Sequence, residues 1–361
     1  MNILIDIGHP CDLHLYKHFA REMQHRGHQV LFTCRDKDHL AAMLAEEGLP
    51  FESFGPNHKT IAGKVAGLPR FTLMVWRVAR RFKPDMFISS GSMYAAPVAW
   101  WTRKPHIVFE DTYNWEQVML YKPFTKTILT GNYPHPMKSK KIVRYAGNHE
   151  LAYLHPNRFV PDQSVRSEMG VGEQEKYVIV RFVSWTASHD VGHHGMSLEN
   201  KVRAVKEFSR HARVLISSEE PLPPELEKHR FNCSRSRMHD ALAFASLVFG
   251  ESATMASEAA VLGVPAIYLD NNGRYYTREL EQEYGLVHHF SESEKDQLAA
   301  IEKGLELLSQ PDGKQAWQKK RERLLADKID VTALMVWFVE NYPESKKTLQ
   351  ANPNYQYRFQ T

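Results

Sequence analysis

The sequence has few cysteines, no long apolar run and no block of basic residues. Its three cysteines, Cys11, Cys34 and Cys233, form neither a CxxC pair nor an even set, which excludes a disulfide-stapled secreted domain and favours a reducing cytoplasm. The longest apolar stretches, ALAFASLVF and TALMVWFV, are shorter than the ~18 residues that cross a bilayer. Without runs of Lys and Arg, nucleic acid is not an expected partner.

The composition is that of a globular protein with room for two domains. The chain has 361 residues, 43% of them hydrophobic, with 46 Lys+Arg against 42 Asp+Glu. At about 150 residues per domain, this length predicts two domains. The opening MNILIDIGHP has an acid inside its apolar stretch and no basic residues before it, so it predicts a first β-strand and not a signal peptide.

Short β-rich runs alternate with amphipathic runs of helical length throughout the chain. NILIDI, HQVLFT, PFESFG, PDMFISS, HIVFED and KTILTG predict strands of a first half, and YVIVRFV opens a second series. This pattern predicts an α/β protein with two tandem Rossmann-like, doubly wound parallel-sheet domains, residues 1–155 and 156–329, facing a cleft. Helix 330–341 is expected to pack back on the first domain, and residues 342–361 are expected to be an irregular tail.

The segment GESATMASEAAVLGVPAIYLD, residues 250–270, has the pattern of a phosphate-binding turn. Ser252, Ala253 and Thr254 fall at a predicted helix start, where free backbone N–H groups attract a diphosphate. Glu258 follows Thr254 by about one helical turn and could accept hydrogen bonds from ribose hydroxyls. A capping Thr and an exposed helical Glu would explain the same spacing structurally.

A polar loop, VRFVSWTASHDVGHHG at residues 180–195, follows the first strand of the second half. Arg181 could pair with a donor phosphate, Ser184 falls at the same strand end, and His189 with Asp190 could transfer a proton or position the sugar. A solvated loop with a surface ion pair is the alternative. Zinc is disfavoured because the histidines share one loop and lack a clear fourth ligand from elsewhere.

The first βα loop supplies candidates for a general base. His9, Asp12 and His14 lie there, and His14 is our choice because an imidazole needs little tuning of its pKa. His14 and His18 also have helical metal-ligand spacing, but no carboxylate partner accompanies them. The DKD at 36–38 is better explained by helix capping than by a metal. We therefore expect no metal and no cofactor, with positive groups neutralising a leaving diphosphate.

Residues 59–83 combine basic and apolar side chains. This segment could dock on anionic lipid, which would suit a lipid-linked acceptor and a cytoplasmic protein at the inner membrane surface. A helix that packs its apolar side on the sheet and exposes a basic face is the simpler explanation.

These motifs resemble those of known sugar-transferring enzymes. The 250–270 block is similar to the donor-binding motif of glycosyltransferase B-fold enzymes, where a Gly/Ser/Thr turn holds the diphosphate and the Glu of an EA pair binds ribose. That resemblance implies phosphate contact by Ser252, Ala253 and Thr254 and ribose contact by Glu258. The glycine pair common at that turn is replaced here by Glu251, Ser252 and Ala253.

The first half resembles the lipid-linked N-acetylglucosaminyltransferase of peptidoglycan synthesis. RFKPDMFISSGSMYAAPVAWWTRKPHIVFEDTYN is similar to a segment of that enzyme, and GHPCDLHLYKHF is similar to its acceptor loop. The resemblance implies that His9, Gly91 and Asn114 lie on the acceptor side and that Glu110 serves there with Asp12 and His14. The matching residues of the longer segment are Pro84, Asp85, Gly91, Pro97, Glu110 and Asn114.

Over residues 1–330, the chain resembles a prokaryotic domain family of unassigned function with the glycosyltransferase B-type fold. We therefore expect a metal-independent glycosyltransferase that uses a nucleotide-sugar, such as a UDP-sugar, in surface-glycan synthesis. A UDP-N-acetylglucosamine 2-epimerase is the alternative, because SLENK at 197–201 resembles that family's Glu-Asn pair at Glu199 and Asn200. The Gln-Glu-Glu helix of that family is absent, since Ala256, Ser257 and Glu258 stand there. A noncatalytic nucleotide-sugar-binding protein is a third hypothesis.

Overall fold

The chain forms two α/β units. The structure is a computed structural model that describes residues 1–37, 39–56, 61–183, 194–218, 221–310 and 313–360; of residues 61–66 and 235 it describes the backbone alone. One unit comprises Met1–Arg158 with Lys328–Thr361, and the other comprises Phe159–Asp327. Among the described residues, no helix is both long and apolar enough to cross a membrane.

The first unit is built on seven parallel strands. Strand order is β3-β2-β1-β4-β5-β6-β7. Strands β2 and β3 are added on one side of β1 and β4 to β7 on the other, so the order of addition reverses between β1 and β4. The elements in chain order are β1 Asn2–Ile7, α1 Pro10–His25, β2 Gln29–Asp36, α2 Leu40–Glu46, β3 Phe51–Pro56, α3 Ile61–Phe82, β4 Met86–Ser89, α4 Ala95–Trp101, β5 His106–Glu110, α5 Trp115–Tyr121, β6 Thr127–Gly131 and β7 Ile142–Tyr145.

The second unit is built on five parallel strands. Their order is β12-β11-β10-β8-β9, with the reversal between β8 and β10. Its elements are α6 Val165–Glu168, β8 Tyr177–Phe182, α7 Leu198–Phe208, β9 Arg213–Ser218, α8 Met238–Phe244, β10 Leu247–Gly250, α9 Ala253–Leu262, β11 Ala266–Leu269, α10 Tyr275–Gln282, β12 Val287–Phe290, α11 Glu294–Ser309 and α12 Gly313–Asp327. The expectation of two parallel, doubly wound sheets is confirmed.

The segment after the second unit returns to the first. Helix α13, Val331–Glu340, packs against α1 and begins at Asp330, whose side chain accepts a hydrogen bond from the N–H of Ala333. Arg158 donates to the same carboxylate across 2.8 Å. Helix α13 thereby covers the outer side of α1 with Leu334, Met335 and Phe338, all buried.

The prediction of an irregular tail for residues 342–361 is wrong. Helix α14, Glu344–Ala351, is followed by a 3₁₀ helix, Pro353–Phe359. Oε1 of Gln356 accepts from the N–H of Ala146 at 2.6 Å, and the rings of Tyr355 and Phe359 lie 5.0 and 5.6 Å from that of Trp337. These contacts with distant parts of the chain order a sequence that has no helical periodicity of its own.

The expected helix cap at Asp36 also differs. Asp36 is the last residue of β2, and α2 begins only at Leu40. Its carboxylate still accepts a hydrogen bond from the N–H of Ala41, at 3.2 Å, so it supports the helix start from the preceding strand. Asp38 lies outside the described residues.

Candidate functional site

In the second unit, the candidate site is the carboxyl edge of the sheet at β8 and β10. All five strands are parallel, but β9 is added on one side of β8 and β10 to β12 on the other, so the order of addition reverses between β8 and β10. In open parallel sheets ligands bind in the crevice outside such a point. Gly250 ends β10 with a φ of +151°, and a Cβ there would lie 2.1 Å from the carbonyl oxygen of Arg181. The two strand ends can approach this closely only because residue 250 is glycine.

Glu251, directly after β10, connects several segments of the chain at this edge. Its carboxylate is buried and accepts hydrogen bonds from the backbone N–H groups of Val183, at 2.9 Å, and Met196, at 2.7 Å. Lys201 forms an ion pair with it at 3.5 Å. Sequence reasoning did not single out Glu251, although its position directly after the strand-ending glycine was a usable signal.

The predicted phosphate-binding residues lie at the amino end of α9. Ser252 is the N-cap, and its hydroxyl accepts from the N–H of Met255 at 3.3 Å. Ala253 and Thr254 form the first turn and are partly exposed, whereas the rest of the helix is buried. The first-turn N–H groups of an α-helix have no partner within the helix and carry the positive end of its dipole, so this turn can accept an anion.

Glu258 lies deeper on the same helix. It is buried, and its Oε1 is 2.9 Å from Nε2 of His239 on α8. His239 is buried as well, and its ring meets that of Phe159 edge to face at 6.2 Å. The carboxylate expected to bind ribose is therefore held by a histidine that the sequence did not link to it.

Arg181, the fifth donor-side candidate described by the structure, sits near the end of β8. Its Nη1 donates to the hydroxyl of Ser217 on β9 at 2.9 Å. Ser184, His189 and Asp190 lie outside the described residues. After that gap, the N–H groups of His194 and Gly195 donate to the carboxylate of Glu292 at 2.7 and 2.9 Å.

In the first unit, the reversal between β1 and β4 brings the predicted loop residues to the carboxyl edge. His9 is the N-cap of α1, with its Nδ1 accepting from the N–H of Cys11 at 3.2 Å. The carboxylate of Asp12 accepts from the N–H groups of Gly8 and His9 at 2.9 and 3.0 Å. These two side chains form a capping box. His14 is half-buried one turn later, 5.5 Å from the ring of Tyr153.

A buried ion pair stiffens the same edge. Nη1 of Arg35 lies 2.9 Å from both carboxylate oxygens of Asp6, and its Nη2 donates to the carbonyl of Ile7. The hydroxyls of Thr33 and Ser92 also donate to Asp6. This network fixes the ends of β1 and β2 and the start of α4, and no local pattern in the sequence indicates it.

Glu110, at the end of β5, is the most perturbed acid of this edge. It is buried and accepts hydrogen bonds from the N–H groups of Thr112, at 3.1 Å, and Tyr113, at 2.9 Å, and from the hydroxyl of Tyr121. Burial raises the pKa of Glu110 to about 7, and the charge of Asp111 adds to the shift. A carboxyl with a pKa near neutrality can both accept and release a proton.

Gly91 makes room for this carboxyl. Its φ is +87°, and a Cβ there would lie 2.9 Å from the Tyr121 ring and 3.2 Å from Oε2 of Glu110. Asn114 is the N-cap residue of α5, and within the described chain its side chain makes no capping hydrogen bond. The structure thus brings Gly91, Glu110 and Asn114 together at the carboxyl ends of two neighbouring strands.

A histidine that sequence reasoning missed lies beside Glu110. Nδ1 of His149 is 3.0 Å from the carboxylate of Asp111, and its Nε2 has no hydrogen-bond partner among the described residues. Burial by itself lowers the pKa of His149, but the carboxylate of Asp111, together with the charges of Glu150 and Glu110, raises it overall. His149 follows β7, a four-residue strand that the sequence analysis did not predict.

Within the described part of the chain, no group of three or more His, Cys, Asp or Glu side chains could hold a metal ion. The two edges instead offer a helix amino end, an arginine, two His–carboxylate pairs and one buried carboxyl of raised pKa. Such groups can bind an anion and move a proton.

Comparison with known proteins relates this architecture to two groups of enzymes. Residues 16–136 match the family model described as a glycosyl transferase 4-like domain. No curated protein matches the sequence.

The solved structures that resemble the chain do so over nearly its whole length. A putative UDP-N-acetylglucosamine 2-epimerase from Listeria monocytogenes has a TM-score of 0.68 at 12% identity, covering 95% of this chain and 96% of its own. UDP-GlcNAc 2-epimerase from Neisseria meningitidis bound to UDP-GlcNAc has a TM-score of 0.64 at 14% identity, covering 94% and 100%. Glycosyltransferase VinC in complex with dTDP has a TM-score of 0.61 at 13% identity, covering 96% and 100%. The chain therefore has the two-domain fold that these epimerases share with glycosyltransferases of the B type.

Proposed function

We propose that this protein is a metal-independent glycosyltransferase that transfers a sugar from a nucleotide-sugar, such as a UDP-sugar, to a hydroxyl of a surface-glycan or lipid-linked acceptor. The observation that carries the proposal is Glu110, a buried carboxyl with a pKa of about 7 at the carboxyl edge of a parallel sheet. It falls within the residues that match the glycosyl transferase 4-like domain.

The proposal assigns the donor to the second unit. The diphosphate would bind the N–H groups of Ala253 and Thr254 at the start of α9, with Arg181 as its cationic partner. Glu258 would accept hydrogen bonds from the ribose. Support comes from the reversal of strand order at this edge, and from the dTDP and UDP-GlcNAc that two of the similar structures hold.

The proposal assigns the acceptor and the base to the first unit, with His9, His14, Gly91 and Asn114 on the acceptor side. Glu110 would take the proton of the acceptor hydroxyl while the oxygen of that hydroxyl attacks the anomeric carbon. The bond from that carbon to the phosphate oxygen breaks, and the nucleoside diphosphate leaves with the electron pair. We favour Glu110 over His14, the base chosen from the sequence, because burial raises the pKa of Glu110 to about 7. Asp12 is less suited, since its carboxylate caps α1.

A second candidate function is epimerisation at C2 of a nucleotide-sugar. It is favoured by two epimerase structures that cover 94–95% of this chain. The Glu-Asn pair at Glu199 and Asn200 suggested this function from the sequence. In the structure Asn200 has a structural role, because its buried amide donates a hydrogen bond to Gln297 at 2.8 Å. Epimerisation would use the same donor residues and an acid–base pair at C2, but no acceptor.

One experiment separates these functions. The purified protein is incubated with UDP-, GDP-, CMP- and dTDP-sugars in D₂O, with and without a mixed glycan and lipid-linked acceptor extract. Release of the nucleotide (UDP, GDP, CMP or dTDP) that needs acceptor supports transfer. Deuterium at C2 without acceptor supports epimerisation. A thermal shift with one nucleotide series but neither reaction would leave a noncatalytic binding protein.

Glu110→Gln tests the mechanism, with Glu116→Gln on the exposed side of α5 as the matched control. We expect Glu110→Gln to lower the rate by about 100-fold or more, because general-base catalysis contributes 10²–10⁴. Its nucleotide-induced thermal shift should stay unchanged. Equal rates in the two variants would rule out Glu110 as the base.

A further inference from the structure

Exposed apolar side chains are concentrated on two short helices of the first unit. Half of the large hydrophobic residues that are exposed in the described chain lie on α4 and α5, although these helices are a small part of it. We call them the tryptophan surface: Trp100, Trp101, Trp115, Met119 and Leu120, with exposed fractions of 57, 56, 71, 56 and 43%. Exposed apolar side chains concentrated in this way mark a candidate interaction site.

The two helices form one surface. Ala96 of α4 and Val118 and Tyr121 of α5 share a buried cluster over the sheet, which fixes the helices side by side. The ring of Trp100 also lies 5.8 Å from that of Phe124, just after α5. The inward positions of both helices are thus filled by core residues, while their outward positions carry tryptophan, methionine and leucine.

A group of lysines borders this surface where α5 ends. Burial lowers the pKa of Lys141, and the positive charges of Lys126, Lys122 and Lys346 lower it further, so Lys141 lies close enough to these three lysines to be repelled by them. Lys141 donates to the carbonyl oxygens of Lys122 and Pro123, and Lys346 donates to that of Lys126. Carbonyl oxygens satisfy the donors without cancelling the charge. We call this the lysine cluster.

We propose that the tryptophan surface and the lysine cluster together bind an anionic lipid membrane. Tryptophan has an apolar body with one polar N–H and is enriched at the level of lipid headgroups. Lysines next to such residues are attracted by acidic headgroups, which also relieve their mutual repulsion. The surface lies on convex helices and not in a groove, which suits a flat and deformable partner.

A second copy of the chain fits this surface less well. A symmetric dimer would bury the tryptophans but leave the bordering lysine cluster at the rim of the interface, without the acidic headgroups that would offset its positive charge. Docking of residues 59–83 on lipid, which the sequence raised as a possibility beside a helix packed on the sheet, stays a prediction. On α3, Phe71 and Val75 are buried in the core, and Arg77 and Arg80 are exposed. Because α3 packs beside α4, these arginines add positive charge, and the tryptophans supply the apolar contact.

Vesicle sedimentation of the full chain tests the proposal and does not depend on the proposed enzymatic activity. The vesicles are phosphatidylcholine alone and phosphatidylcholine mixed with phosphatidylglycerol. We expect binding to the mixed vesicles that weakens with added salt, as electrostatic attraction does. Trp100→Ser with Trp115→Ser should weaken it at least about tenfold. Lys122→Gln with Lys126→Gln should remove the preference for the anionic vesicles while retaining weak binding to both.

Leu198→Ser, an exposed apolar position of the second unit at 57%, is the matched control and should bind like the unchanged protein. Quenching of tryptophan fluorescence by brominated lipid should occur in the unchanged protein and be reduced in the tryptophan variant, which retains Trp101. Circular dichroism verifies the fold of each variant, which is expected to persist since the altered side chains are exposed. Absence of binding to mixed vesicles overturns the proposal. So does a dimer in sedimentation velocity that Trp115→Ser dissociates, because a second copy would then cover the surface.

Discussion

Nε2 of His239 and Oε1 of Glu258 lie 2.9 Å apart, and both side chains are buried. The histidine comes from α8 and the glutamate from α9, so the pair joins the two helices that flank β10. A carboxylate held in this way keeps one orientation. In the proposed function that orientation would present it to the ribose of the donor.

We expect Glu258→Gln to weaken binding of a nucleoside diphosphate by about tenfold, because hydrogen bonds to a charged acceptor are stronger than those to a neutral amide. Isothermal titration with UDP and dTDP measures it. Glu294→Gln, at the exposed start of α11, is the control for loss of one negative charge. Equal affinities for the two variants would remove Glu258 from the donor site.

Glu110 should make stability depend on pH. In the unfolded chain its carboxyl ionises above pH 4.5, whereas in the fold it ionises only above about 7. The fold therefore loses stability as pH rises through that window, by up to about 3 kcal/mol for one group. Glu110→Gln should then be more stable than the unchanged protein at pH 8 and closer to it at pH 5. Urea unfolding at both values measures this, and a gap of equal size at both would contradict it.

His106 should have the opposite effect at lower pH. It is buried between the hydroxyls of Ser89 and Thr125, at 2.9 and 2.8 Å, and burial lowers its pKa from 6.5 to about 3. The unfolded chain binds this proton below about pH 6.5 and the fold does not, so stability falls as pH decreases from 6.5 toward 3. His106→Gln should flatten that decline by about 1.4 kcal/mol per pH unit. His25→Gln, exposed on α1, should leave the slope unchanged.

Gly250→Ala should be severely destabilising. The new Cβ would lie 2.1 Å from the carbonyl oxygen of Arg181, which is strand backbone and cannot move aside. We expect a loss of roughly 3 kcal/mol or more in the free energy of unfolding. Gly172→Ala is the control, because there the nearest atom is 3.6 Å away. A melting temperature that falls equally little in both variants would show that the strand ends can separate.

The strands and helices with strong local patterns were predictable from the sequence, and those with weak patterns were not. Strands β1, β5 and β8 are mainly apolar and were predicted within a residue or two. Strands β7 and β12, IVRY and VHHF, have polar residues within only four positions, whereas the equally short β4, MFIS, is apolar and was predicted. Strands β7 and β12 form because a neighbouring strand already presents its edge.

The site was predictable where one segment contains the signal. Glu110 and Ser252 follow apolar strands and belong to motifs that can be recognised in one stretch of sequence. The pairs Asp111–His149 and His239–Glu258 each join elements that are distant in the chain. Only the packing of the sheet and its helices brings them together, so no local pattern could reveal them.

Residues 328–361 belong to the first unit, although the whole second unit precedes them in the chain. During synthesis on the ribosome, α1 therefore emerges long before the helix that covers it. At about 5–20 residues per second, the delay is on the order of tens of seconds. For that time the side of α1 on which α13 packs is without this partner, so the nascent first unit exposes apolar surface until translation ends.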